Sequence, residues 1–287
     1  MEKRRGFAGL LIGFLSKLVL LAVLAAIGAL VWGVMEEPGQ LRYTQVKMRS
    51  AQWPLYWEPI RVVVVSDLNV GSPHVDLGML ERVVDLINTA KPDVVLLIGD
   101  FMPGDYFSTP IAPTAFAPVL GQIKAEQGVL ALFGKFDAVD GGAQLAGALK
   151  KAGIKILSDS AAPINLAQEK RFWIAGFGDD PGAYAKVLET LPKDEPVFAM
   201  VHNPARFPDI PKKIDLVFAG YTHGGVIVVP RYPMPILPTG VPARYANGLV
   251  NEGQRSMFVT AGIGTREFPV RLNNKPQIVV ATILPRQ

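Results

Sequence analysis

Arg61-Val-Val-Val-Val-Ser-Asp-Leu-Asn69 is a short β-branched run that ends abruptly in a carboxylate. Four valines between an arginine and a serine predict a fully buried strand. Asp67 then falls at the strand's carboxyl end, on the rim of a sheet, where binding sites are built. The same grammar returns in Val94-Val-Leu-Leu-Ile-Gly-Asp100 and Val129-Leu-Ala-Leu-Phe-Gly-Lys135. It returns twice more, in Val197-Phe-Ala-Met-Val-His202 and Leu216-Val-Phe-Ala-Gly-Tyr-Thr-His223. Five strand ends therefore deliver two aspartates, a lysine and two histidines.

Between the first two strands, Leu80, Val83, Val84 and Ile87 recur at helical spacing before Lys91-Pro92, which predicts a helix over 77–89. Strand, helix, strand at this spacing implies a parallel pair with a right-handed crossover. Residues 102–118, with four prolines and an aromatic scatter, read as a loop over the rim, and 119–127 as a short helix. Further helices are expected over 141–152 and 184–190. Strands are expected over 154–159, 162–166, 171–177, 226–229, 257–259, 270–272 and 278–284. The fold class is α/β: a two-sheet β-sandwich flanked by helices and preceded by one N-terminal transmembrane helix. Residues 1–36 form the anchor, 37–59 a linker with an edge strand, and 60–287 the main domain. Trp53, Tyr56 and Trp57, in the linker, either cover an open face of the core or rest at the membrane interface.

The chain of 287 residues, 49% of them hydrophobic, is long enough for one large core. Its net charge of +4 is dispersed, which argues against nucleic acid and suits an anionic membrane surface. The absence of cysteine excludes thiolate metal sites, cysteine nucleophiles and disulfides. Residues 18–35 carry no charge, and eighteen residues make about 27 Å of helix, close to the ~30 Å of a bilayer's hydrocarbon core. Lys3, Arg4, Arg5 and Lys17 precede this span and Glu36 and Glu37 follow it. The positive-inside bias then keeps the amino terminus cytoplasmic and sends the domain to the periplasmic or extracytoplasmic side. No Ala-x-Ala-like site follows the span, which favours an uncleaved anchor over a cleaved signal. Arg4-Arg5-Gly6-Phe7 also fits the core of a twin-arginine export signal, and both readings predict the same side.

Carboxylates and imidazoles on successive strand ends suit a divalent cation. Ser66-Asp-Leu-Asn69, Gly99-Asp100, Gly134-Lys-Phe-Asp137, His202-Asn203-Pro204 and Gly220-Tyr-Thr-His-Gly-Gly225 fall in the order of the calcineurin-like metallophosphoesterase motifs. The chain thus resembles that family. Gly262-Ile-Gly-Thr265 and Pro269-Val-Arg271 are similar to the ending of its membrane-anchored or exported subgroup, which includes lipid-headgroup phosphoesterases and UDP-diacylglucosamine pyrophosphohydrolases. The resemblance implies a two-sheet fold and two divalent ions that clamp a phosphoryl group and activate water.

The departures from the family pattern carry as much information. The resemblance implies a first ion held by Asp67, position 69, Asp100 and His223, and here Asn69 replaces a histidine. A second ion would need Asp100, position 135, His202 and position 221, and here Lys135 and Tyr221 replace an asparagine and a histidine. A protonated amine ~4 Å from a dication costs roughly 8 kcal/mol at an effective dielectric of 20. One ion (Mn, Mg, Fe or Zn) is therefore expected and a second disfavoured. Phe136 stands where the family's acid histidine would be. Two readings stay open: a domain that binds without catalysis, and a single-metal hydrolase of phosphodiester or pyrophosphate bonds in lipid-linked substrates, with Lys135 and Tyr221 assisting. The expected partners are the bilayer and a phosphate-bearing lipid, not nucleic acid. Oligomeric state is not legible. His74 is either a replacement ligand or a loop residue, and Asp137 is expected to orient its loop. No Gly-x-Ser-x-Gly elbow, Walker loop or dinucleotide fingerprint occurs.

Overall fold

Helix α1 (Glu2–Met35) opens the chain, and from Leu10 to Trp32 its large apolar side chains are exposed. A helix that is apolar all round and meets no core is long enough to cross a bilayer. The computed structural model describes residues 2–104, 107–137, 142–228 and 237–286, with side chains from residue 9 onward. The charges of Lys3, Arg4 and Arg5 lie outside the described side chains.

The chain then builds β1 (Arg42–Ser50), β2 (Ile60–Ser66), α2 (Leu77–Thr89), β3 (Val94–Ile98), α3 (Pro113–Leu120), β4 (Val129–Leu132), α4 (Gly142–Lys151) and β5 (Lys155–Ile156). There follow β6 (Ser160–Asn165), β7 (Arg171–Phe177), α5 (Tyr184–Thr190), β8 (Val197–Val201), β9 (Leu216–Ala219), β10 (Gly248–Glu252), β11 (Arg255–Val259) and β12 (Gln277–Pro285). Two six-stranded sheets result, in the orders β1-β12-β2-β3-β4-β5 and β10-β11-β9-β8-β7-β6. Strands β2 to β5 run parallel, as do β7, β8, β9 and β11, so their carboxyl ends gather along one edge of each sheet.

The valine run is buried on both faces because it serves two cores. Val62 and Val64 point between the sheets, where they meet Phe172, Phe198, Met200 and Phe218. Val63 and Val65 point outward to α2, α3 and α4. The far face of the second sheet is covered by Tyr184, Val187, Phe207 and Tyr245. Period-two alternation thus separates the two layers of each strand.

Strand β1 occupies the sheet edge expected of it, and it pairs parallel with β12. Among the linker aromatics, Trp53 is buried between the sheets with its ring 5.0 Å from that of Trp57, 5.5 Å from Phe172 and 5.8 Å from Phe198, whereas Tyr56 is exposed.

Several sequence expectations need correction. The stretch 102–118 is not all loop, because α3 begins at Pro113 and contains Pro118. Proline at the helix start costs nothing, since that N–H has no intrahelical partner, and burial of Phe116, Ala117 and Leu120 outweighs the proline inside. The strands expected over 226–229 and 270–272 reduce to one bridge, Ile227 to Leu272, with Val229 outside the described residues. Val226 has φ 55°, a left-handed conformation that no strand holds. Residue 141, expected to begin a helix, also lies outside the described residues.

Replacing Trp53 by alanine should cost about 3–5 kcal/mol, the range for a large aromatic removed from a packed core. Chemical denaturation of the detergent-solubilised protein, followed by fluorescence and circular dichroism, measures it. A loss below about 1 kcal/mol would show that the inter-sheet core closes without this residue.

Candidate metal centre

Three of the parallel strands turn sharply where they leave their sheets. Asp67 follows β2 with φ 50°, Asp100 follows β3 with φ 48°, and His223 lies beyond β9 with φ 47°. Asn69 and Tyr221 share the left-handed conformation, at φ 45° and 73°. For residues with a Cβ this conformation costs roughly 1–2 kcal/mol each and persists only where the surroundings fix it. Close packing of backbone does the fixing. A Cβ at Gly134 would lie 2.5 Å from the Asp100 nitrogen, and one at Gly262 2.8 Å from the Asp67 Cβ.

The four strand ends bring Asp67, Asp100, His202 and His223 together, all buried. His202 Nε2 stands 3.1 Å from Asp100 Oδ2 and 3.9 Å from Asp67 Oδ1. His223 Nε2 stands 3.5 Å from the same Asp67 oxygen. Each ring is oriented from behind: Nδ1 of His202 faces the Ile98 carbonyl at 3.2 Å, and Nδ1 of His223 faces the Gly264 carbonyl at 3.0 Å. A carbonyl only accepts, so each Nδ1 carries a proton and each Nε2 turns toward the carboxylates. Asp67 accepts the Tyr221 N–H on both oxygens, at 3.1 and 3.0 Å, and the Ser66 hydroxyl. Asp100 Oδ1 accepts the Phe136 N–H at 3.1 Å.

Burial works against charge on His202, but Asp100 and Asp67 overcome it and hold the imidazole pKa up at about 10. Burial also works against the Asp100 carboxylate, yet His202 holds it below its ordinary value. His223 goes the other way: burial pushes it down, with Asp67 opposing. Without a metal ion, the carboxylates thus favour the charged form of His202, whereas burial favours the neutral form of His223.

The other sequence-derived positions are distributed around this cluster. The Asn69 amide Nδ2 points at the carbonyls of Asp67 and Thr265, at 3.4 and 3.3 Å, which leaves its Oδ1 as the atom free to act as a ligand. Lys135 is exposed, its ammonium 5.8 Å from the Phe136 ring centroid, and among the described residues it forms no ion pair with Asp67 or Asp100. Phe136 packs its ring against Gly104. The Tyr221 ring meets that of His202 edge-on at 5.3 Å, and burial raises its hydroxyl pKa. His74 is not part of the cluster and lies against the backbone of Val34 and Pro269. Asp137 orients its loop as expected, accepting the N–H groups of Phe101, Met102 and Gly134 at 2.8, 3.2 and 2.9 Å. Burial and the adjacent Asp100 push its carboxyl up to about 6.

Sequence reasoning missed Arg266 and gave Thr265 no role at the site; both line a narrow cleft of about 30 Å³ with Asn69, Gly104, Phe136, His223 and Glu267. It also gave no role to Arg271, whose buried guanidinium donates to the carbonyls of Ala261, Gly264 and Asn274.

The donor set suits a divalent ion. His202 Nε2 is a buried polar atom with no aligned hydrogen bond. The nearby ligand atoms of Asp67, Asp100 and His202 lie within 4.8 Å of one another. Backbone carbonyls fix both rings from behind, as outer groups do in metal sites.

No family model matches the chain. The metallophosphoesterase YkuE of Bacillus subtilis (strain 168) is 28% identical over 253 residues, covering 86% of this chain and 87% of that protein. Phosphodiesterase YaeI of Escherichia coli (strain K12) is likewise 28% identical over 252 residues, covering 86% and 90%. The chain is similar to metallophosphoesterases over most of its length. Its membrane anchor fits a further relative, the Danio rerio transmembrane protein with metallophosphoesterase domain, 27% identical over 290 residues, which cover 93% of this chain and 62% of that protein. Calcineurin-like phosphoesterase YfkN of Bacillus subtilis superposes with a TM-score of 0.41 and 11% identity over 77% of this chain and 81% of that one, too slight a likeness to carry an argument.

In the metal-free protein, the His202 ring should titrate near pH 10, and Asp100→Asn should bring its midpoint down toward the ordinary value near 6.5. The folded pKa is the higher one. The stability that the His202–Asp100 pair contributes is therefore complete below about pH 6.5 and lost as the pH rises through about 10. Ring-resolved NMR titration measures both, and a wild-type midpoint near 6.5 would contradict the arrangement.

Proposed function

We propose that this membrane-anchored metallophosphoesterase relative holds a single divalent ion and recognises a phosphoryl group beside it, with little or no turnover. The asymmetry of the site carries the reading. On one side, Asp67, Asp100, His202 and His223 converge. On the other, Lys135 is exposed, Phe136 is a hydrocarbon, and Tyr221 gives its backbone N–H to Asp67.

Asp67, Asp100, His202 and His223 would hold the ion, with the Asn69 carbonyl oxygen beside them. A divalent ion bound there supplies Lewis-acid polarisation of a phosphoryl oxygen. The chain's own groups do the rest. Arg266, which lines the cleft and is bonded to Glu267 at 3.0 Å, offers its remaining donors to phosphate oxygens. Tyr221, its hydroxyl pKa raised by burial, remains a donor at neutral pH. Lys135 places a cation at the rim, but an ammonium has no lone pair to give a second ion. Position 136 has no proton to give a leaving group, and general-acid assistance is typically worth ~10²- to 10⁴-fold.

A second reading, slow hydrolysis with one ion, is favoured by Arg266 and by the phosphodiesterase name of the Escherichia coli relative. For location, the charges flanking the anchor support a cytoplasmic amino terminus and a domain on the periplasmic or extracytoplasmic side. Closeness to the bilayer supports a phosphate-bearing lipid as ligand.

Metal analysis after exchange with Mn²⁺ should find about one ion per chain, lost on Asp67→Ala. Wild type should hydrolyse bis-(p-nitrophenyl) phosphate near the background rate. Restoring the family residues together, as Asn69→His, Lys135→Asn, Phe136→His and Tyr221→His, should add a second ion and raise the rate by at least ~10²-fold. Two ions in the wild type would sink the proposal, and wild-type turnover abolished by Asp100→Ala would select the second reading.

A further inference from the structure

The anchor does not end in a loose tether. The Gly33 carbonyl, in the last turn of α1, accepts the N–H of Arg271 at 2.9 Å. A Cβ at Gly33 would lie 2.9 Å from the Arg271 carbonyl oxygen, so the two backbones meet only because this residue is glycine. His74 lies against Val34 and Pro269 at the same junction.

Two residues past the helix, Glu37 is buried, and its carboxylate accepts the N–H groups of Asn273 and Asn274, at 3.0 and 2.5 Å. Nothing about a residue beside a membrane helix requires a buried carboxylate, and burying one is costly unless its oxygens are satisfied. The grip passes inward. The Asn274 side-chain amide donates to the His223 carbonyl at 2.5 Å, and its oxygen fills the space that a Cβ on Gly224 would need. Arg271, in the same segment, donates to the Gly264 carbonyl at 2.6 Å, the carbonyl that also takes the His223 Nδ1 proton.

His223 is thus held at two points, its carbonyl through Asn274 and its ring through Gly264. The first hold comes from Asn274 and the second is braced by Arg271, and Glu37 and Gly33 fasten the segment 271–274 to the end of the anchor. A residue with φ 47° needs such holding, because its backbone would otherwise relax. Arg271 is fully buried, and the charges that offset its burial are those of Asp67, in the centre, and Glu37, at the anchor.

We propose that Glu37 is a positioning residue for the His223 imidazole, so that the membrane end of the anchor is a working part of the metal centre. This rests on the reading of His223 as a ligand. Groups that orient a ligand from outside the coordination shell are typically worth 10- to 100-fold in metal affinity.

The chain contains three histidines, so ¹⁵N-histidine labelling of the full-length protein in nanodiscs gives a spectrum in which each ring can be assigned by substitution. In metal-free Glu37→Ala the His223 ring nitrogens should shift away from a pure Nδ1–H tautomer while those of His202 stay in place. Co²⁺ affinity should fall about 10-fold with a changed visible spectrum. Glu37→Gln, which keeps one acceptor oxygen, should lie between, and it carries the test if the alanine variant fails to fold. Glu37→Ala combined with His223→Ala should bind Co²⁺ no more weakly than His223→Ala alone. Unchanged His223 signals and Co²⁺ affinity in Glu37→Ala, or additive losses in the double variant, would overturn the proposal. If His223→Ala leaves Co²⁺ binding untouched, the ligand reading of His223 has failed instead, and the ring signals alone then judge the role of Glu37.

Discussion

The Asp67 carboxylate accepts the backbone N–H of Tyr221, and much of the structure depends on that bond. Asp67 belongs to the first sheet and Tyr221 to the second. The contact, with the Gly264 N–H donated to the Asp67 carbonyl at 2.7 Å, closes the site end of the sandwich in backbone terms rather than by side-chain packing. Apolar contact between the sheets fixes their spacing but leaves them free to slide. Directional hydrogen bonds to a buried carboxylate do not. The strain stored in Asp67, Asp100, Tyr221 and His223 is the cost of bringing the loops of two sheets that near to one another.

That closure engages the four side chains that converge at the site. Asp67, Asp100, His202 and His223 each carry structural bonds besides any they could offer a cation: to Tyr221, to Phe136, to Ile98 and to Gly264. The altered positions 135 and 136 lie on the loop after β4: the Phe136 N–H bonds Asp100 and its ring lines the cleft beside His223, while Lys135 is exposed. Substitution there leaves the sandwich closed. A site built this way can lose chemistry without losing its fold.

The core of this arrangement was legible because a buried β-branched run that stops at a charged residue fits little besides a strand ending at a sheet rim. Five such stops gave the strands around the centre and four of its residues. Helix α3 was not legible, since two prolines within six residues read as loop until the burial of Phe116 and Leu120 is known. Strand β10 escaped because it is a half-exposed edge, with no apolar face long enough to show a period. The outer support of the site escaped for another reason. Glu37, Arg271 and Asn274 act on backbone carbonyls and amides far away in sequence, and such partners leave no pattern of side-chain types. The signals were single charges in apolar surroundings, such as Arg271 after Pro269-Val270, which can be noticed but not interpreted without the fold.

The pairing of β1 with β12 sets the timetable of assembly. Arg42 lies opposite Gln277, and β12 sits between β1 and β2, so the strand that joins the first two is made long after both. Until it arrives, β1 waits beside the anchor with an open edge, and the ends of a loop of more than two hundred residues must still find each other. The second sheet, whose strands are neighbours in sequence, has no such delay. Assembly of the first sheet therefore waits for β12, and during that interval the open edge of β1 is where a chaperone, or a wrong partner, has its opportunity.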